Sequence, residues 1–389
     1  MKSNYEPLGK HIRLVDYRNS EEVTSTVLGI SIDKEFMPSV ANVIGTDLSR
    51  YKLISKGLFA CNPMHVGRDE RLPIALYEKD SPAIVSPAYF MFEIIDRDVL
   101  NEEYLMMWFR RPEFDRECWF MTDGSVRGGI TWDDLCRIKL PVPSYARQCE
   151  IVESYRAITD RIALKRAEND NLEATAQAVF QEQFASFYGA DELPDGYRII
   201  NLDNLCTVKG GKRLPADCKL LDTPTDHPYI RVRDVGSNRY VCLTNQFQYI
   251  DEETYSAISR YIVNTGDIVI SIVGTIGLLG KIHSSLDKAN LTENCVKLAN
   301  IHTVTSDYLY YTLCYKKQIK EIDLLTVGAV QAKLPMYNIQ SMKILVPPTK
   351  AIEAFQRKMN VLNEQIEANT VEIQKLYELE EVLLAKLSD

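Results

Sequence analysis

The chain has 389 residues, a formal charge of −9 at pH 7 and nine cysteines. Its length exceeds one ordinary domain, and its scattered cysteines, without a CxxC pair, exclude a disulfide framework and a zinc site of the usual spacing. No run of 18 apolar residues occurs and the start, MKSNYEPLGKHIR, has no apolar leader core, so no membrane association and a cytoplasmic location are expected.

Residues 1–143 mix short strand-like runs with short helical patterns and are expected to form a first globular domain. Within it, apolar Leu58 to Cys61 reaches Asn62-Pro63. Adenine-N6 methyltransferases carry an Asn/Asp-Pro-Pro-aromatic tetrapeptide at such a strand end, where it holds a flipped base. Here Met64 replaces the second proline, His65 stands at the stacking position, and no glycine-rich FxGxG turn lies upstream. The stretch is therefore read as a polar loop. Its Asn62, His65 and Arg68 carry groups suited to base edges, and a plain surface turn is the alternative.

A second loop, Asp123 to Gly129, contains Arg127, and Pro141 and Pro143 close the segment. Residues 144–190 then read as a long helix. Its apolar seam runs through Ile151, Tyr155, Ile158, Ile162, Leu172, Ala176, Val179 and Phe187, with Lys165 and Asn169 as a polar break that fixes register. The stretch YGADELPDGY (Tyr188 to Tyr197) is a turn into a second globular domain, residues 191–346.

Residues 191–346 hold 17 basic and 17 acidic side chains, so the acidic excess lies outside them. Val208 to Pro215, VKGGKRLP, places Lys209, Lys212 and Arg213 around a glycine pair, a composition suited to phosphate. Tyr229 to Asp234, YIRVRD, is read as a strand with Arg231 and Arg233 on one face. Asp267 to Val273 reads as a strand, and Val273 to Lys281, VGTIGLLGK, follows it. The spacing Gly274–Gly280 and the residue Ile282 after Lys281 break the P-loop pattern, so a turn between strands is expected. Leu291 to Asn294, LTEN, ends an apolar approach in polar groups. Val327 to Lys333, VGAVQAK, contains Gln331 and Lys333. Arg to guanine and Gln to adenine are both bidentate pairings. Residues 347–389 form a second helix with a seam through Phe355, Met359, Leu362, Ile366, Asn369, Ile373, Leu376, Glu380, Leu383 and Leu387.

Two stretches align without a gap at a spacing of 204 residues, including Tyr104/Tyr308, Leu105/Leu309, Gly124/Gly328, Lys139/Lys343 and Pro143/Pro347. The same register carries into the two helices and makes Arg127 and Gln331 equivalent. The expected fold is α+β: two globular α/β domains alternating with two long helices that pair as an antiparallel coiled coil, related by a pseudo-twofold repeat. Such helices would act as a ruler between two half-sites. No catalytic set and no metal-ligand cluster is expected.

With KLPVPS and KILVPPT leading into the helices, the whole chain resembles the specificity (S) subunits of type I restriction–modification enzymes. MPSVANVIGTDLSRYKLISKGLFACNPMHVGRD and the KGGKRLPADCKLLD and YIVNTGDIVISIVGTIGLLGK stretches resemble two types of target-recognition domain. That resemblance implies a non-catalytic subunit that reads a bipartite, asymmetric target in double-stranded DNA. It implies two methyltransferase (M) subunits, which transfer methyl groups to adenine N6, and restriction (R) subunits in the full complex. S-adenosylmethionine, ATP and Mg would sit on those partners, with no cofactor in this chain. The alternatives are a self-contained DNA methyltransferase or nuclease at Asn62-Pro63, and a coiled-coil protein-interaction scaffold.

Overall fold

The computed structural model describes residues 5–39, 45–64, 66–122, 128–236, 239–244, 247–328 and 332–388. The chain forms two compact units, Met1–Ala163 with Lys375–Asp389, and Leu164–Gln374.

In the first unit β1 (Tyr5–Pro7) and β2 (Ile12–Leu14) precede β3 (Val27–Ile30), β4 (Phe36–Pro38) and β5 (Lys52–Ile54). Then come β6 (Phe59–Cys61), a short α1 (Val66–Asp69), β7 (Ile74–Leu76), β8 (Ala83–Val85) and β9 (Phe90–Ile94). Strands β6 and β8 are buried at every position, as continuous apolar runs require. Helices α2 (Glu102–Phe109), α3 (Pro112–Phe120) and α4 (Trp132–Arg137), then β10 (Lys139–Pro141), lead into α5 (Tyr145–Phe184). Asn101 caps α2 by accepting from the Glu103 and Tyr104 amides, and Glu102 and Glu103 favour its positive end. The sheets run β2-β9-β6-β7, all antiparallel, and β4-β3-β8-β5, with β3 and β8 parallel.

The second unit contains β11 (Arg198–Asn201), β12 (Thr207–Gly210), β13 (Pro228–Ile230), β14 (Tyr240–Val241), β15 (Gln248–Tyr249) and α6 (Glu252–Ile258). It continues through β16 (Ile268–Ser271), β17 (Leu279–Ile282), β18 (Asn290–Leu291), β19 (Cys295–Ala299), α7 (Ser306–Leu313), α8 (Lys316–Leu325), α9 (Met336–Ser341) and β20 (Lys343–Val346) to α10 (Thr349–Ala385). Its strand order β12-β19-β16-β17 repeats β2-β9-β6-β7, and β15-β13-β18 repeats β4-β3-β8 with its parallel pair. Helices α7, α8 and α9 repeat α2, α3 and α4. Equivalent bonds recur. Tyr104 Oη donates to the Pro141 carbonyl at 3.0 Å and Tyr308 Oη to that of Leu345 at 2.7 Å. The Leu8 amide donates to Ile138 O at 2.8 Å, and that of Leu202 to Met342 O at 3.0 Å. Both domains thus share one α+β fold, although their strand sequences do not align.

The long helices pack antiparallel within each unit. In the first, Tyr155 of α5 donates to Glu380 of α10 at 2.7 Å, and Ile151, Val152 and Tyr155 join a core with Leu383, Leu384 and Leu387. In the second, Phe180 and Phe184 pack on Phe355 with ring centroids 6.0 and 5.5 Å apart, next to Met359, Leu362, Ala176 and Val179. Ile158, Ile162 and Ile366 are buried, while Leu172, Ile373 and Leu376 are half-buried. The seam differs from the expectation at one end. Phe180 and Phe184 fill it, and Phe187 lies in a 3₁₀ turn against Tyr197 at 4.6 Å. The α-helix ends at Phe184, so Phe187 is out of phase with the stripe.

Candidate nucleic-acid interface

In the first domain, buried β6 delivers the chain to Asn62. Its amide donates to Pro73 O at 2.8 Å, and its side-chain oxygen accepts from the Met64 amide at 3.2 Å, which closes an Asx turn. The loop is then tied to the segment after Arg127. The Gly67 amide donates to Gly128 O at 3.0 Å and the Ile130 amide to Pro63 O at 3.1 Å. A Cβ on Gly129 would stand 2.8 Å from the Pro63 carbonyl oxygen, so this close approach requires glycine. Arg68 is exposed on α1 and pairs with Asp69 at 2.7 and 2.8 Å. His65 and Arg127 lie outside the described residues.

The second domain repeats this construction. Buried β16 ends in the loop through Gly274 and Gly277, both at positive φ, and the Leu334 amide donates to Ile272 O at 3.0 Å. Leu334 and Ile130 are equivalent in the repeat, so Ile272 stands where Pro63 does. Lys333 is exposed and exchanges two backbone bonds with Val327, at 2.8 and 2.9 Å. Gln331 lies outside the described residues. The expected turn between strands is observed, joining β16 to β17.

The basic glycine loop joins the same region. The Gly211 amide donates to Cys295 O at 3.0 Å and the Lys212 amide to Leu291 O at 2.8 Å. A Cβ on Gly211 would lie 2.1 Å from the Thr292 carbonyl oxygen. Tyr229 Oη donates to Lys212 O at 2.7 Å. The Thr292 amide donates to Ile230 O at 3.0 Å, and the Ile272 amide to Asn294 O at 2.8 Å. Four stretches far apart in sequence therefore form one band: 211–213, 229–230, 291–294 and 272–274. Lys209 is exposed on β12, and Lys212 lies over the Tyr261 ring at 5.8 Å. Arg213 is exposed and bonds Glu293 at 2.7 Å. Solvent screens an exposed pair of this kind, so exchanging Glu293 for a phosphate costs little.

The strand expected to carry Arg231 and Arg233 on one face is not observed. Strand β13 stops at Ile230, and Val232–Asp234 is a 3₁₀ turn. Asp234 causes this, because its carboxylate accepts from the Arg231 amide at 2.8 Å and from its guanidinium at 2.9 and 2.8 Å. Arg231 also bonds Gln248 and is largely buried, whereas Arg233 is exposed.

Sequence reading missed a buried polar cluster in this unit. Arg239 donates to Asp307, to Tyr311 Oη at 2.9 Å and to Asn363, and its guanidinium carbon lies 5.1–5.6 Å from the rings of Tyr240, Tyr310 and Tyr311. Lys281 donates to Asp307 at 2.7 Å. Burial opposes the Asp307 charge, but Lys281, Arg239 and Gln356 outweigh it and bring the carboxyl down to about 2. A lone arginine between polar neighbours carries no such signal, because its partners lie 68 and 124 residues away. Among the described residues, no three His, Cys, Asp or Glu side chains gather as a metal site, and no helix is long and apolar enough to cross a membrane.

Residues 194–382 match the family described as type I restriction modification DNA specificity domain. The chain is 22% identical to the type I restriction enzyme MjaIX specificity subunit of Methanocaldococcus jannaschii, over 76% of this chain and 70% of that protein. It is 20% identical to the HindI specificity subunit of Haemophilus influenzae, over 96% of this chain and 95% of that one. In fold it resembles the crystal structure of a type I restriction–modification S subunit from M. genitalium, with TM-score 0.50, 14% identity, and 99% and 96% of the two chains covered. Residues 194–382 thus carry the DNA specificity domain of that family, and along nearly its whole length the chain is similar to specificity subunits of type I restriction–modification systems.

Proposed function

We propose that this subunit reads a bipartite, asymmetric target in double-stranded DNA, one half by each globular domain. The observation that carries this reading is the site built twice: a buried strand ends in a loop held by the amide of Ile130 or Leu334, three residues after Arg127 or Gln331 in the sequence. The common frame supports recognition at the same place in each domain. The different residues on it, Asn62 and Arg68 against Lys209, Lys212, Arg213, Arg233 and Lys333, make the two halves different.

Several of these cations are already paired within the chain, and the net charge is −9. Partner subunits therefore supply much of the phosphate neutralisation. We assign them as two methyltransferase subunits, with restriction subunits in the full complex, all in the cytoplasm. S-adenosylmethionine, ATP and Mg belong to those partners, and the long helices set the spacer between half-sites.

The test is co-expression with the cognate methyltransferase subunit, followed by genome-wide mapping of N6-methyladenine. One two-part motif with unlike halves and a fixed spacer is expected. A palindromic or continuous motif overturns the reading, as does methyl transfer by the purified chain alone with S-adenosylmethionine and DNA.

A further inference from the structure

One buried guanidinium joins the second globular domain to both long helices. Arg239 precedes β14, and its carboxylate partner Asp307 sits in the first turn of α7. Gln356 and Asn363 of α10 donate to the second Asp307 oxygen at 2.6 and 2.7 Å, while Asn363 also accepts from Arg239. From α5, Glu173 accepts from Tyr311 Oη at 3.0 Å and lies 3.7 Å from the guanidinium. The Arg239 side chain is 1% exposed and that of Asp307 is 5%. Each Asp307 oxygen takes two donors, and both ends of the Asn363 amide are used, so the orientation of each group depends on the others.

Burying such charges adds little stability over apolar packing of the same volume, because desolvation offsets the attraction. What directional bonds supply is a single geometry. At the place of Asp307 the first domain does not bury its carboxylate as deeply. Its equivalent of Asp307 is Glu103, which pairs with an exposed Arg156 of α5.

We propose that the Arg239–Asp307 cluster is a positioning device for target recognition. It holds the second domain on the two helices at one angle, so second-half reading and spacer length depend on groups that touch no DNA. This inference rests on the two-half reading above.

The test uses the full chain co-expressed with its methyltransferase subunit and N6-methyladenine mapping. The variant is the Gln356→Ala/Asn363→Ala pair, which frees α10 from the cluster and leaves Asp307 with Arg239 and Lys281. Arg239→Met is a harsher second variant, and each is assayed well below its own thermal midpoint. Methylation is expected to fall at least tenfold at targets with the parental spacer and to appear at spacers one base pair off, while the first half-site stays unchanged. An unchanged pattern overturns the proposal. So does a uniform fall with both halves and the spacer still strict, which marks a stability effect alone. If the parent chain yields no two-part motif, the functional reading fails and this inference falls with it.

Discussion

Arg231 and Arg233 are two residues apart and face different environments. The first is bonded through three of its nitrogens to Asp234 and also to Gln248, and the second is two-thirds exposed and 4.0 Å from Asp234. Arg231→Ala is expected to cost about 1–3 kcal/mol of stability, since it leaves a buried carboxylate without its main donor, with DNA affinity per folded molecule little changed. Arg233→Ala should leave the thermal midpoint within about 1 °C and lower the slope of log affinity against log salt by roughly 0.9. Calorimetry and salt titration of the assembled complex separate the two. Equal effects from both substitutions would contradict the assignment. In sequence the pair looked alike, because the carboxylate that distinguishes them acts through a turn visible only in three dimensions. Asn62 was legible as the end of a buried strand; its tie to the Gly129 segment, 67 residues on, was not.

At the scale of the element, the clearest case is the polar layer between the long helices. Lys165 donates to Asn369 at 2.9 Å and to Glu168 at 3.0 Å, and Asn369 donates to Asn169 at 2.9 Å while itself 1% exposed. Lys165 and Asn369 are 204 residues apart, so equivalent positions of the repeat meet each other. Buried polar layers cost stability and fix register. Replacing Lys165, Asn169 and Asn369 together by Leu should raise stability by about 1–4 kcal/mol and release the register. The expected signs are a higher thermal midpoint and larger species in light scattering. A lower midpoint would show that the layer is stabilising in its own right. Heptad spacing made these helices legible from sequence, because one repeated pattern runs through each for tens of residues. The stripe at Phe180 and Phe184 was misplaced by a residue or more, because an aromatic-rich terminus offers several apolar positions and only packing against Tyr308 and Phe355 selects among them.

Across the whole molecule, the two copies are recognisable in sequence where they do the same work: the capped Tyr helices, the closing strands and the long helices. Between residues 12 and 94, and between 207 and 299, the strand orders coincide while the sequences do not. A short strand needs only burial and pairing, which many sequences satisfy, and surfaces that read different bases have no reason to match. The helices are then the part whose length bears on the target. A turn added to α5 alone near Lys165 would carry it away from Asn369, so the insertion must be matched. Four residues placed after Asn169 in α5 and four before Gln365 in α10 keep the polar layer whole. Each insertion adds about 6 Å of helix, against about 3.4 Å per base pair of duplex. The matched variant is expected to methylate a target whose spacer is one or two base pairs longer, with both half-sites retained. Methylation mapping checks this directly. A change in the bases of either half would show that the helices help to read the target, and a spacer that stays fixed would remove their role as a ruler.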